Sequence, residues 1–313
     1  MISWADSGIV GQADLDTASQ GRQADLSMKT QSIDGINLHL GTPDQDEHPW
    51  VGNMDVLQQL MACWLAVHED DIPLNPRLIG RPGVGKTTLA AAAARALGRP
   101  VYIYQATMDT RPEDLLITPV IAESGKIKYV ASAIVTAMIE GGVAILDEGN
   151  RMGEKSWASL APLLDHRRYI ESIIAGIKVK AHKDFRFCAT MNEDASTFEI
   201  PEYIQSRLQP QIYIDFADAD EEAEILKANL PFAPDEIINY VVRFLQAAHQ
   251  ADEPYSVRDG INITRMVLKL GISREFFSKE ENRIVTDESR FRELLHDSVM
   301  GILGDDALRY LIT

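Results

Sequence analysis

Gly80-Arg81-Pro82-Gly83-Val84-Gly85-Lys86-Thr87 fits the pattern G-x-x-x-x-G-K-[ST]. Pro76-Arg77-Leu78-Ile79 runs into it as a short predicted strand. Thr87 to Leu97 leaves it as an alanine-rich predicted helix that stops at Gly98. The glycines let the backbone curl so that successive N–H groups point at phosphate oxygens. Lys86 can then reach the β- and γ-phosphates of a nucleotide, and the Thr87 hydroxyl can ligate magnesium. The helix that opens at Thr87-Thr88 aims its N-terminus at the anion. Gly80, Arg81, Pro82, Gly83, Val84, Gly85, Lys86, Thr87 and Thr88 form the expected nucleotide-binding set.

Downstream, Val143-Ala144-Ile145-Leu146 is a continuous apolar run closed by Asp147-Glu148, as in a buried parallel strand. An Asp at the C-terminal end of such a strand can hold magnesium through water, beside the Thr87 hydroxyl. Glu148 can polarise an attacking water as general base. Thr87 and Asp147 are thus the expected metal ligands. The Asn/Thr-Lys-x-Asp tetrapeptide that reads guanine in P-loop GTPases is absent from the sequence, so ATP and ADP with Mg2+ are the expected ligands.

Outward from these motifs, apolar strands alternate with helical segments over roughly 53–217. Val56, Leu57, Leu60, Met61, Trp64 and Leu65 form one helix face behind Asn53 as N-cap. Val101–Tyr104 and Phe185–Ala189 read as further strands, and the alternation of Ile212, Ile214 and Phe216 reads as a strand at the sheet edge. This is the pattern of an α/β fold, a parallel sheet sandwiched by helices, predicted over 35–217. From Asp218 onward the spacing is helical throughout. Ile263, Met266, Val267 and Leu270 recur at i, i+3, i+4 and i+7. A smaller all-α lid domain is predicted over 218–313. Residues 1–34 are polar without apolar period and are predicted as a flexible or irregular extension.

The chain of 313 residues is 45% hydrophobic and 25% charged, enough for a packed core. The sequence holds no run of about 18 apolar residues, so no membrane-spanning helix is expected. Met1–Asp6 lacks the basic end and apolar run of a signal peptide, so a cytoplasmic protein is expected. Cys63 and Cys188, each in an apolar stretch, are predicted as buried thiols. A net charge of −17 without a dense Lys/Arg cluster argues against nucleic acid as a partner of the outer surface.

With these pieces in order, the chain resembles the MoxR group of AAA+ ATPases, close to the NorQ/CbbQ type, from about Pro49 to Leu270. Five segments carry the resemblance: Trp50-Val51-Gly52-Asn53, the P-loop, Ile145–Arg151, Ala189-Thr190-Met191-Asn192, and Ile200–Arg207. The resemblance implies that Asn192 is a sensor that orients the lytic water. It makes Arg207 an arginine finger for the neighbouring subunit. Arg258 becomes a lid residue that senses nucleotide, with Arg265 as a nearby competitor, and Val51 and Gly52 border the adenine. Arg151 either helps in trans or only packs. Two insertions are implied, a helix-2 insert at about 111–133 and a hairpin before the sensor at about 169–184. The chain departs from the group where the usual Gly-Pro-Pro-Gly reads Gly80-Arg81-Pro82-Gly83, and where Gly-Pro-Leu reads Ala131-Ser132-Ala133.

The implied activity is Mg-dependent ATP hydrolysis that remodels or activates a client protein, including by metal or cofactor insertion. It would act as a homo-oligomeric ring, expected to be a hexamer, with a von Willebrand factor A domain protein as adaptor. Two other readings stand beside it. One is an ATP-binding assembly switch with little turnover. The other is the motor subunit of a McrB-like nucleic-acid defence system, which the net charge and the absence of a DNA-reading domain disfavour.

Overall fold

The computed structural model describes residues 29–45, 50–122, 125–193, 198–278 and 282–311. A hairpin of β1 (Thr30–Ile33) and β2 (Ile36–His39) comes first. Then follow α1 (Met54–Cys63), β3 (Arg77–Gly80), α2 (Lys86–Ala96), β4 (Val101–Gln105), a short α3 (Pro112–Leu115), β5 (Ile117–Ile121), β6 (Ile127–Ala131), α4 (Ala133–Glu140) and β7 (Val143–Asp147). The domain continues through α5 (Glu154–Leu160), β8 (Tyr169–Ser172), β9 (Ile177–Lys180), β10 (Arg186–Asn192), α6 (Glu202–Gln205) and β11 (Gln211–Tyr213).

The central sheet has the order β11-β3-β10-β7-β4 and every neighbouring pair is parallel. Its inner strands are apolar runs because both faces are covered. Leu78, Val143, Ile145 and Cys188 pack with α1 and α2 on one face. Ala144, Leu146, Phe187 and Ala189 pack with α4 and α5 on the other. Cys63 and Cys188 are free and buried, and burial raises both thiols. The edge strand predicted from Ile212, Ile214 and Phe216 is found as β11, paired with β3, but it ends at Tyr213, so Ile214 and Phe216 lie beyond it.

The strand order matters for function. β10 inserts between β3, which leads into the P-loop, and β7, which carries the acids. Asn192 at the end of β10 lies opposite Gly80, while Ala189 lies opposite Leu146. The C-terminal ends of three neighbouring inner strands therefore converge at one end of the sheet.

The irregular extension expected over 1–34 needs correction at its end. Residues 1–28 lie outside the described residues, but Thr30–Ile33 is strand β1. It pairs with β2 around Asp34-Gly35, whose positive φ values of 49° and 82° close the turn. β2 in turn runs parallel to β6, giving a second sheet of order β1-β2-β6-β5. The sequence hides this strand because Thr30, Gln31 and Ser32 are exposed, so it has no apolar face to display. The 111–133 segment contains α3 and the antiparallel β5–β6 pair, and 169–184 contains the β8–β9 hairpin.

The C-terminal region is helical, with α7 (Ala219–Asn229), α8 (Asp235–Gln250), α9 (Val257–Ser273) and α10 (Glu288–Leu303). Ile237, Val241 and Leu245 of α8, Ile263 and Val267 of α9, and Phe291 and Leu295 of α10 share one core. The helical C-terminal region is as expected, and it also carries a two-residue antiparallel ribbon, β12 (Phe277–Ser278) with β13 (Arg283–Ile284). An element of two residues is too short to leave a periodic signal.

Candidate functional site

The P-loop backbone is built for close approach. Gly83 and Gly85 have φ of 82° and 92°, a region open mainly to glycine. A Cβ at Gly80 would lie 2.2 Å from the backbone oxygen of Ile214, and one at Gly83 would lie 2.3 Å from Ser256 Oγ. The loop is thus wedged between the sheet edge and the start of α9. Ser256 caps α9 reciprocally with Asp259, whose Oδ2 accepts from the Ser256 N–H at 2.8 Å.

Lys86 is buried, and its ammonium donates to the carbonyls of Gly80 at 2.9 Å and Arg81 at 2.7 Å. Burial pulls its pKa down to about 8, against the opposing pull of Asp147 and Glu148. Across from it, Asp147 Oδ1 accepts from the Thr87 and Thr190 hydroxyls, each at 2.6 Å. The Thr190 oxygen also accepts from the Glu148 N–H at 3.0 Å. Thr87 and Asp147, predicted as metal ligands, are therefore in contact. The donor set fits magnesium, which takes hard oxygens and is held by one or two protein groups, with water and phosphate completing its shell. Among the described residues no cluster of three acidic, His or Cys ligands offers a dedicated metal cage.

Glu148 sits at φ 53°, so the chain turns sharply after β7 and swings its carboxylate toward β10. Asn192 Nδ2 donates to Glu148 Oε1 at 3.1 Å, and Arg151 Nε lies 2.6 Å from Oε2. Asn150 fixes Asn192 from behind, donating to its carbonyl at 2.8 Å and accepting from its N–H at 3.3 Å. Lys86, Thr87, Asp147, Glu148 and Asn192 thus form one constellation.

Beside it, a cavity of about 460 Å³ opens between the α/β part of the chain and the helical C-terminal region. Val51, Gly52, Gly83, Val84, Gly85, Thr88 and Arg258 all line it. Arg265 lies elsewhere, exposed on α9. Arg81 does not turn into this cavity: its guanidinium reaches the helical C-terminal region at the Asp252 and Glu253 carbonyls. Arg207 is also apart. Its carbonyl accepts from Asn75, before the start of β3, at 3.4 Å, and its guanidinium pairs with Asp165 at 3.5 Å and with the Tyr203 carbonyl. That is the opposite end of β3 from the P-loop.

Sequence reasoning missed the roles of Thr190 and Asn150. Both stood inside motifs already quoted, but nothing in a linear string says that a Thr two residues before Asn192 bridges both acids.

Residues 77–208 match the AAA domain of the dynein-related subfamily. In sequence the chain is similar to an uncharacterised protein of Staphylococcus haemolyticus strain JCSC1435, 26% identical over 212 residues, 64% of this chain and 80% of the relative. It is likewise 26% identical to one from Staphylococcus aureus strain NCTC 8325 over 228 residues, 68% of this chain and 86% of the relative. Among solved structures, the Thermotoga maritima RuvB Holliday junction branch migration motor is similar at TM-score 0.55 and 18% identity, over 82% of this chain and 72% of that chain. That likeness is one of fold. Residues 77–208 thus carry an AAA domain of the P-loop ATPase type, in a fold like that of RuvB. Among the described residues no helix is long and apolar enough to cross a membrane.

Proposed function

We propose that the chain hydrolyses ATP with magnesium at a site shared between subunits of a ring, and uses the cycle to remodel a client protein. The observation that carries this reading is a division of labour. Glu148 and Asn192 are joined beside Lys86, Thr87 and Asp147, whereas the half-buried Arg207 lies at the far end of β3. An arginine that far from its own site is suited to a neighbour's, where a guanidinium stabilises charge developing on the transferred phosphoryl group. A head-to-tail contact of that kind closes into a ring, and a hexamer is the form we expect.

In this mechanism Thr87 and Asp147 would hold magnesium, which would supply neutralisation of phosphate charge. Lys86 leaves the carbonyls of Gly80 and Arg81 to serve the phosphates. Glu148 takes a proton from water that Asn192 helps orient, and Arg258 brings the lid to the nucleotide. Closure around the cavity excludes bulk water. The MoxR resemblance extends this to a von Willebrand factor A domain adaptor and to metal or cofactor insertion into the client. The net charge of −17 favours a protein client over nucleic acid.

A second reading rests on a specific contact. The Glu148 carboxylate is held by Arg151 at 2.6 Å as well as by Asn192. A base so engaged suits an ATP-dependent assembly switch with slow turnover. The test is ATPase rate per subunit against protein concentration, with mass photometry on the same samples. The motor reading expects activity to rise as rings appear, and Glu148→Gln to keep the rings while losing about 100-fold or more in turnover. Negligible turnover at all concentrations, with a rise in Arg151→Ala, would favour the switch.

A further inference from the structure

Arg81 belongs to the phosphate loop by sequence, yet its side chain belongs to the lid. Its Nη1 donates to the carbonyls of Asp252 at 3.3 Å and Glu253 at 3.4 Å, and Nη2 pairs with the Asp252 carboxylate. Its guanidinium carbon sits 5.2 Å from the centre of the Phe216 ring, in the segment that joins the two domains. The Phe216 ring in turn stacks on His249 of α8, with centroids 3.8 Å apart and planes 8° from parallel. The receiving turn is itself firmly set. Asp252 adopts φ 62°, and the Glu253 N–H returns to the Ala248 carbonyl at 3.0 Å. The Glu253 carboxylate accepts from Arg309 and the Tyr310 hydroxyl, each at 2.8 Å, tying the turn to the last segment of the lid.

The backbone of the same residue faces the other way, its carbonyl accepting from the Lys86 ammonium at 2.7 Å. One residue therefore touches the phosphate-binding lysine with its main chain and the lid with its side chain. The ion pair alone would contribute little, because the Asp252 side chain is 87% exposed. The two carbonyl bonds and the ring contact give the latch its geometry, and a lysine would supply neither the planar fork nor the stacking.

We propose that Arg81 is a positioning residue of the ATPase, coupling engagement of Lys86 by nucleotide to the seating of the lid on the phosphate loop. When the turn at Asp252–Glu253 is held, Ser256 and Arg258 stay packed against Gly83. When it is released, α9 can lift from the loop. Because coupling is reciprocal, what holds the lid also holds the nucleotide. The proposal rests on ATP binding at the P-loop.

The test is a double-mutant cycle with Arg81→Gln, Asp252→Asn and the pair, on the full chain. Asn tolerates the left-handed conformation at 252, and that exposed position keeps the cycle informative if Arg81→Gln unfolds. Binding of a fluorescent non-hydrolysable ATP analogue with magnesium chloride is titrated, and hydrogen exchange of amides 251–260 is followed with and without it. The expected result is affinity about tenfold weaker for Arg81→Gln. A smaller loss is expected for Asp252→Asn, with the pair no worse than Arg81→Gln. Arg81→Lys should not restore binding, and nucleotide-induced protection of 251–260 should disappear. Wild-type affinity and protection in the single variants, or strictly additive losses, would overturn the latch while leaving the ATPase intact. Failure of the wild type itself to bind the analogue would overturn both.

Discussion

The Thr190 hydroxyl is wholly buried and links both site acids, donating to Asp147 and accepting from the Glu148 N–H. Thr190→Val keeps the shape but leaves that N–H without an acceptor, at a cost of about 1–3 kcal/mol. Thermal unfolding should report that loss, and steady-state ATPase should fall in kcat more than in affinity, because the acids lose their common support. Thr190→Ser should recover both. Unchanged kcat in the valine variant would mean that Asp147 and Glu148 are held well enough by their other partners. Asn192→Ala makes a complementary test, since Asn192 touches the Glu148 carboxylate itself. Its loss should lower turnover without releasing ATP in a binding titration.

Between elements, a buried acid links α7 to α8. Glu222 is fully buried, accepts from Gln246 at 2.9 Å and faces His249 Nδ1 at 3.6 Å. His249 Nε2 lies 2.6 Å from the Tyr255 carbonyl, so that nitrogen carries the proton and Nδ1 is left as an acceptor. Burial raises Glu222 to about 7 and lowers His249, so the folded Glu222 keeps its proton until the pH nears 7. The unfolded carboxyl titrates near 4.5. Below that pH both states hold the proton. As pH rises toward 7 only the unfolded state releases it, so the Glu222 contribution to stability is lost with rising pH. Glu222→Gln should therefore gain on the wild type between pH 5 and pH 8 by on the order of 2–3 kcal/mol in urea unfolding. A constant difference across that range would contradict a neutral Glu222. Within the central sheet, Gly80→Ala should lower the melting temperature sharply, because its Cβ would meet the Ile214 backbone oxygen at 2.2 Å and part β3 from the segment that follows β11. Elements with a strong apolar period were legible in the sequence: α1, α2, β7, β10, and the packed faces of α8 and α9. β1 was not, since its pairing is backbone-driven and its side chains are exposed. The ribbon β12–β13 was too short to leave a period. The cross-strand contacts of Thr190 and Asn150 were invisible because they depend on strand order, which a linear motif does not carry.

Over the whole molecule, the sheet order brings the P-loop, the acids and Asn192 together at the C-terminal ends of the inner strands and leaves Arg207 near the opposite end of β3. The motifs supplied the members of this site, but the distance between Arg207 and the rest emerged only from the fold. A shared site makes two distinct defects complementary. Lys86→Ala removes a subunit's own phosphate grip but leaves its Arg207 to offer. Arg207→Ala keeps the phosphate grip but lacks the arginine for its neighbour. The most direct test of the account is ATPase activity of these two variants, alone and mixed in equal amounts, with mass photometry confirming co-assembly. The account predicts that each variant alone falls about 1,000-fold or more, and that mixed rings recover a clear fraction of wild-type turnover. Mixed rings that stay as inactive as their parents, or an Arg207→Ala protein with normal turnover, would contradict a site completed by the neighbouring subunit.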